Sequence, residues 1–342
     1  MAPYPDEYVA AVERELELAI AAQNFPLRDS PLFPVFLNMQ RYHLGWSDAE
    51  GRPVRADAGK RMRPLLCLLS AEAVGGDWHD ALPAAAAIEL VHNFSLIHDD
   101  IEDNSAERRG RPALWQVWGL AHGINAGDAM FSLSRLALDR LVAPAPVLAE
   151  VHHIFDRTTL AITEGQFLDL SFEQRDDVTV DNYMEMVRGK TAALLAAAAR
   201  IGACIGGAKA AALEEFVQFG EKLGIAFQIA DDVLGIWGHP AVTGKPAGDD
   251  LRARKKSLPV LLAADSCSGG EVRAFLNKPQ IDEGDVTNML ELLAECHAQE
   301  RAEALAEEYK SQALTALEET GLANPAADRL RELARSAVRR QK

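Results

Sequence analysis

An all-α fold is what the 342-residue sequence predicts. Ala and Leu are abundant while runs of β-branched residues are scarce, which favours helix over strand. Apolar residues recur at three- and four-residue spacing, the signature of helices with one buried face. No linker, low-complexity tract or fixed-period repeat divides the chain. A single all-α domain over 1–342 is therefore favoured, although one domain per roughly 150 residues would allow two.

In chain order, residues 5–24 read as an amphipathic helix, and 45–58 (GWSDAEGRPVRADA) as a loop by their Gly, Pro and charge content. Periodicity predicts helices over 60–75, 80–103, 116–143, 147–173, 181–189, 191–207, 210–236 and 256–265. Residues 266–284 read as a mobile excursion. Residues 285–341 read as charged helix with a break near Gly321–Pro325. The longest apolar stretch, Ala192 to Leu213, is interrupted by Arg200 and Lys209 and is rich in Ala and Gly. It reads as a close-packed core helix, so no membrane span is expected.

Charge narrows the function classes. Lys plus Arg is 35 against 51 for Asp plus Glu, a formal charge of -16, which argues against binding to nucleic-acid phosphates. Cysteines 67, 204, 267 and 296 form no CxxC clamp and read as reduced thiols of an intracellular protein. The first twenty residues carry early acids and no basic n-region, so no secretory signal is expected and a cytoplasmic location is.

Two segments stand out. In Ser95-Leu-Ile-His-Asp-Asp-Ile-Glu-Asp103, four acids fall within five positions after an apolar helical run. Asp99 and Asp103 are i and i+4, so they share a helix face and repel, and a hard cation such as Mg2+ would offset that. Alone, the cluster is equally consistent with a solvated helix end. A second apolar helix ends in another pair, Asp231 and Asp232. Two such helices facing each other would hold divalent ions and a diphosphate between them. Bases flank both clusters: Lys60, Arg61 and Arg63; Arg108 and Arg109; Lys190; Lys245, Lys255 and Lys256. Guanidinium forks match phosphate oxygens, and ammonium groups add point charge.

With these segments assembled, the sequence resembles the trans-isoprenyl diphosphate synthases, or polyprenyl synthetases. The strings that carry the resemblance are GKRMRP (59–64), ELVHNFSLIHDDIEDNSAERRGRPALW (89–115), INAGD (124–128), EGQFLDL (164–170), GKTAAL (189–194), FQIADDVLG (227–235) and GKPAGDDLRARKKSLP (244–259), all in family order. The resemblance implies antiparallel helices around a deep central cavity, usually in a homodimer. It implies Mg2+-dependent condensation of isopentenyl diphosphate with an allylic diphosphate, with about three Mg2+ ions held alongside the latter.

Residue by residue, Asp99, Asp103 and Asp231 resemble metal ligands, with Asp100 and Asp232 supporting them. Arg108, Lys190, Lys245 and Lys255 resemble contacts to the allylic diphosphate. Lys60, Arg63, His92 and Arg109 resemble the isopentenyl diphosphate pocket. His92 lies seven residues before Asp99, two turns back on the same face, which favours that placement. Lys190, Thr191 and Gln228 resemble the groups flanking the allylic cation. Gln166 and Asp169 match a helix lining the cavity without an assigned role, and His98 reads as structural.

The second acidic motif departs from the family pattern at its fifth position, Gly235, where many members carry Asp. Asp249-Asp250 stands where one acid is common, with Asp250 at the matching position. Small Ser95 four residues before Asp99 and large Phe94 five before it resemble short-chain synthases of the archaeal geranylgeranyl type. On an ideal helix Phe94 points about 140° from Asp99, so its ring could instead pack on a neighbouring helix. Geranylgeranyl diphosphate is the expected product. Farnesyl diphosphate is the alternative, and a class I terpene cyclase a more distant one.

Overall fold

The computed structural model describes residues 6–21, 25–26, 28–57, 59–239, 246–266 and 269–338. They are overwhelmingly helical: α1 (Asp6–Ala21), α2 (Phe33–His43), α3 (Met62–Ala73), α4 (Leu82–Glu102), α5 (Leu114–Trp118), α6 (Leu120–Leu138), α7 (Ala145–Glu173), α8 (Val180–Val187), α9 (Ala193–Ile205), α10 (Ala210–Trp237), α11 (Asp249–Arg252), α12 (Leu258–Ala264), α13 (Gly269–Leu276), α14 (Glu283–Glu295), α15 (Ala298–Glu319) and α16 (Pro325–Val338). A π-helical turn, Arg188–Ala192, joins α8 to α9. The only sheet among the described residues is a hairpin of β1 (Glu107–Arg108) and β2 (Arg111–Pro112). No described helix is long and apolar enough to cross a membrane.

The chain divides into two compact units. The first comprises residues up to His152 together with Ile201–Ala208. Here α4 pairs extensively with α6. Ala84 to Ala87 are fully buried on α4, where small side chains let helices approach closely. At Gly127 of α6 a side chain would collide with the His98 ring, whose Nε2 lies 3.1 Å from the Ile124 carbonyl oxygen. His98 is thus a packing residue, as expected.

The second unit comprises His153–Arg200 and residues from Lys209 onward, and α10 and α15 form its most extensive helix pair. Phe172, Tyr183, Met184, Ile225, Ile229, Leu258, Ala302 and Ala306 are buried together at one end. Ile236, Leu251, Val260, Phe275, Met289 and Leu293 are buried together at the other. Helix α8 starts at a capping box: Thr179 Oγ1 accepts from the Asn182 amide and Asn182 Oδ1 from the Thr179 amide, both at 3.2 Å.

Several expectations need correction. Helix α2 was not anticipated; its sequence, FPVFLNMQRYH, is short and aromatic-rich, with Pro in the first turn where a missing N–H costs nothing. The stretch 116–143 is two helices broken at Gly119, whose φ of 88° is a glycine conformation. The apolar stretch 192–213 is parted at Gly207, with φ 86°, into the two helices expected over 191–207 and 210–236 rather than running as one. The expected excursion 266–284 contains α13. Cys67 and Cys204 are buried and Cys296 half-buried, all free thiols, with burial pushing the Cys67 thiol up; Cys267 lies outside the described residues.

Candidate functional site

The acidic end of the first unit is built by α4 and the hairpin behind it. Asp99 falls in the last turn of α4, and Asp103 caps it, its amide bonding the Asp99 carbonyl at 2.9 Å. The two members of the Asp99-Asp100 pair part company. Asp100 is buried, and its Oδ1 accepts from Arg108 Nε at 2.8 Å and Nη2 at 2.5 Å. Burial raises its carboxyl, with Arg108 opposing. Asp99 keeps a fifth of its side chain exposed, with Arg108 Nη2 3.6 Å from Oδ2, and Asp103 is exposed. Arg108 is therefore held by the acidic motif itself in this structure.

The hairpin presents two of the expected bases through its turn. Arg109 and Gly110 have φ of 53° and 70°, the pair of left-handed residues that a two-residue type I′ turn requires. Arg111 anchors the hairpin: its Nη2 donates to the Ser47 carbonyl at 2.7 Å, and its guanidinium lies 4.0 Å over the Tyr42 ring. The Tyr42 hydroxyl donates to the Pro112 carbonyl at 2.8 Å.

Beside this turn lies a cationic pocket. Gly59, with φ 82°, brings its backbone against Arg109: a Cβ there would stand 3.1 Å from Nη2. Arg63 Nη1 lies 3.2 Å from His92 Nε2. Burial and the neighbouring Arg63 charge hold the imidazole pKa far below its usual value, so the ring is neutral and Nε2 accepts. Burial depresses the Arg109 guanidinium as well. Its Nη1 is buried and finds no acceptor among the described residues. A buried guanidinium N–H without an acceptor is costly, and an anion supplies what it lacks. Lys60 is exposed at the edge of the same loop. Thus three of the four residues expected around isopentenyl diphosphate converge, with the fourth adjacent in sequence.

In the second unit the three residues expected beside the allylic cation converge. Backbones of α7 and the π-turn touch at Gly165 and Gly189: a Cβ on Gly189 would lie 2.9 Å from the Ala161 carbonyl oxygen, so only glycine fits. Lys190 and Thr191 ride on this π-turn, a feature frequent at functional sites. Lys190 Nζ donates to Asp169 Oδ2 at 2.5 Å, which gives Asp169 a role the sequence left open. Thr191 Oγ1 donates to Gln228 Oε1 at 2.7 Å, and Gln228 Nε2 donates to Asp232 Oδ1 at 2.9 Å. Asp232 is buried, and its Oδ2 accepts from the Leu258 amide at 3.0 Å. Burial raises its carboxyl, opposed first by the Lys255 charge. Burial alone would depress Lys255, yet the charges of Asp250, Asp232, Asp169 and Asp231 outweigh it and push its pKa up. Asp231 itself is exposed. Lys245 lies outside the described residues.

Both acidic pairs thus obey one rule: the second aspartate is buried and tied to protein donors, while the first is more exposed. The donor set, carboxylate oxygens throughout, fits Mg2+. Among the described residues no group of three or more His, Cys, Asp or Glu could hold a metal by themselves. Sequence reasoning missed Tyr183, buried beside Asp232, and the buried Arg61. A tyrosine at helical spacing carries no signal apart from core, and Arg61 was hidden in a run of bases.

Comparison with known proteins agrees with these strings. The polyprenyl synthetase family model matches residues 52–293. A (2E,6E)-farnesyl diphosphate synthase of Mycobacterium tuberculosis is 42% identical over 306 residues, covering 88% of this chain and 85% of that protein. A geranylgeranyl diphosphate synthase of the same species is 44% identical over 230 residues, covering 67% and 65%. The crystal structure of a polyprenyl synthetase from Streptomyces coelicolor superposes with a TM-score of 0.88 at 35% identity, covering 97% of this chain and 98% of that one.

Proposed function

Because the chain belongs to the polyprenyl synthetase family, we propose that this trans-prenyltransferase condenses isopentenyl diphosphate with an allylic diphosphate to give geranylgeranyl diphosphate. The observation that carries the reading is the pocket of Arg63, His92 and Arg109 beside the acidic end of the same unit. An elongating enzyme needs a second diphosphate site that uses no metal, whereas a terpene cyclase does not.

Asp99, Asp103 and Asp231 would hold Mg2+, which when bound supplies charge neutralisation for the departing diphosphate. The remaining work falls to the chain's own side chains. Lys190, Lys255 and Arg108 add positive charge around the allylic diphosphate as its C–O bond breaks and the electron pair leaves with it. Because Thr191 donates its proton to Gln228, its oxygen lone pairs are left to face the developing allylic cation. Arg63, Arg109 and Lys60 hold isopentenyl diphosphate so that its π electrons form the new C–C bond. Loss of a proton from that unit restores a double bond. Neutral His92 orients Arg63 without adding charge. We further propose that the enzyme works as a homodimer in the cytoplasm.

Product length rests on Phe94. Its ring packs at 5.4 Å from Phe131 of α6 and edge-on at 5.0 Å from His98, while Ser95 donates its hydroxyl to the His92 carbonyl at 2.8 Å. The ring thus packs on the neighbouring helix α6, the alternative raised from the sequence, and the short-product reading rests on the bulk of Phe94 five residues before Asp99. Relatives named for farnesyl and for geranylgeranyl products both occur, so farnesyl diphosphate is the second reading.

The test is a product assay with Mg2+, supplying isopentenyl diphosphate and dimethylallyl, geranyl or farnesyl diphosphate in separate reactions and sizing the dephosphorylated alcohols. Geranylgeraniol is expected, and Phe94→Ala should lengthen the product. Farnesol as the end point would install the second reading. A hydrocarbon formed without isopentenyl diphosphate would overturn the synthase.

A further inference from the structure

Arg61 lies between the two bases expected to bind isopentenyl diphosphate, yet it is buried. Only 2% of its side chain is exposed, and its φ is 50°, in the left-handed region at the start of α3. A non-glycine residue there is strained, so its side chain must hold it in place. It does so through two carboxylates. Nε donates to Glu13 Oε1 on α1 and Nη1 to Glu89 Oε1 on α4, both at 2.6 Å. Glu89 is 3% exposed and also accepts from Asn93 Nδ2 at 2.9 Å; Glu13 also accepts from Trp46 Nε1 at 2.8 Å.

The same buried Glu89 acts on a third residue. After burial, which disfavours its charge, the Arg109 guanidinium is governed by attraction to Glu89 and repulsion from Arg61 and Arg108. Arg109 is also the group whose buried Nη1 has no acceptor. Both guanidinium groups lie in the field of one buried carboxylate, and of the two it is Arg61 that is hydrogen-bonded to it.

We propose that Arg61 is a positioning residue for the isopentenyl diphosphate pocket: by engaging Glu89, it keeps Arg109 directed to the substrate diphosphate. It touches no substrate. Without Arg61, Glu89 would be a buried, uncompensated charge, and Arg109 is the cation at hand to pair with it. Arg109 would then be withdrawn from the diphosphate. The inference rests on the functional reading above.

The charge balance supplies a test that a purely structural role would fail. The full-length protein is titrated calorimetrically with isopentenyl diphosphate in EDTA, and KM is measured for both substrates with Mg2+. Arg61→Met should weaken isopentenyl diphosphate binding about tenfold or more, the worth of one charged phosphate contact, with KM for the allylic diphosphate unchanged. Adding Glu89→Gln should restore binding to within about threefold, because the competing carboxylate is gone. Glu89→Gln alone should bind as tightly as wild type or tighter, and if Arg61→Met does not fold, Arg61→Gln replaces it in both the single and the double variant. Unchanged binding in Arg61→Met, an unrescued double variant, or tenfold weakening in Glu89→Gln would each overturn the inference. A wild-type protein that binds no isopentenyl diphosphate would instead remove the functional reading, and this inference with it.

Discussion

The Asp250 carboxyl group fills the space above Gly235: a Cβ on that glycine would lie 2.5 Å from Asp250 Cγ, far inside any carbon–carbon contact. Gly235 is the fifth position of the second acidic motif, where many relatives carry Asp. In this chain an acid reaches that place from another segment. Gly235→Ala should therefore destabilise the fold by about 1–3 kcal/mol, as overpacking does. Adding Asp250→Ala removes the clash but also a charge that offsets Lys255, so the double variant should lose less than the sum of the two single losses. Urea unfolding of the single and double variants measures the coupling, and a coupling energy near zero would show that the two side chains do not compete.

The Thr191 hydroxyl and the Gln228 carboxamide are donor and acceptor in one bond, fixed in direction because Gln228 spends its N–H on Asp232. Thr191→Val keeps the shape but leaves Gln228 Oε1 without its donor, at a cost of about 1–3 kcal/mol. It should also lower kcat about 10- to 100-fold, with the affinity for isopentenyl diphosphate unchanged. Steady-state kinetics on both substrates would separate this from a folding defect.

Asp99 and Asp100 are neighbours with different duties. Asp99→Asn should raise the Mg2+ concentration needed for half-maximal turnover and lower kcat about a hundredfold, with little loss of stability. Asp100→Asn leaves Arg108 only the more distant Asp99 as a charged partner and should lose about 1–3 kcal/mol of stability. A Mg2+ titration of activity beside thermal unfolding distinguishes the two.

Two histidines should make the fold acid-sensitive. His43 and His92 are both held neutral: burial depresses each, and nearby arginines add to it. The unfolded chain binds a proton at each near pH 6.5, and the folded chain does not. Stability should thus be insensitive to these groups above about pH 6.5 and fall below it, by up to about 1.4 kcal/mol per pH unit for each. Urea unfolding at pH 7.5, 6.5 and 5.5 reads the slope, and His43→Gln should remove about half of it.

Most of the helices were legible because they rest on local signals, apolar spacing and paired carboxylates at helix ends, although the break at Gly119 was not read. Arg63 and His92 lie together with Arg109 near them, and Thr191 and Gln228 lie together with Lys190 beside them. The features that escaped the sequence depend on burial or on backbone geometry. Arg61 is one base in a string of three, and only the fold separates the buried member from the more exposed ones. The Arg109-Gly110 turn lacks the Asn-Gly or Asp-Gly pair that marks a hairpin. The π-turn has no composition of its own, because it arises from how α7 presses on Gly189.

That π-turn makes the segment unequally tolerant of genetic change. Each residue added to or removed from a helix rotates the downstream chain by about 100°. Inserting one residue within Arg188–Ala192 would turn Ala193–Arg200 against Val180–Val187 by about a quarter of a revolution, whereas deleting one would close the wide i→i+5 turn into a regular one and leave the flanking faces nearly in phase. After an insertion, either the buried faces of Tyr183 and Val187 or those of Leu195 and Ala198 would leave the core. Codon-scale insertions should consequently be purged from this stretch, while single-residue deletions and exchanges of exposed residues such as Glu185 and Arg188 are better tolerated.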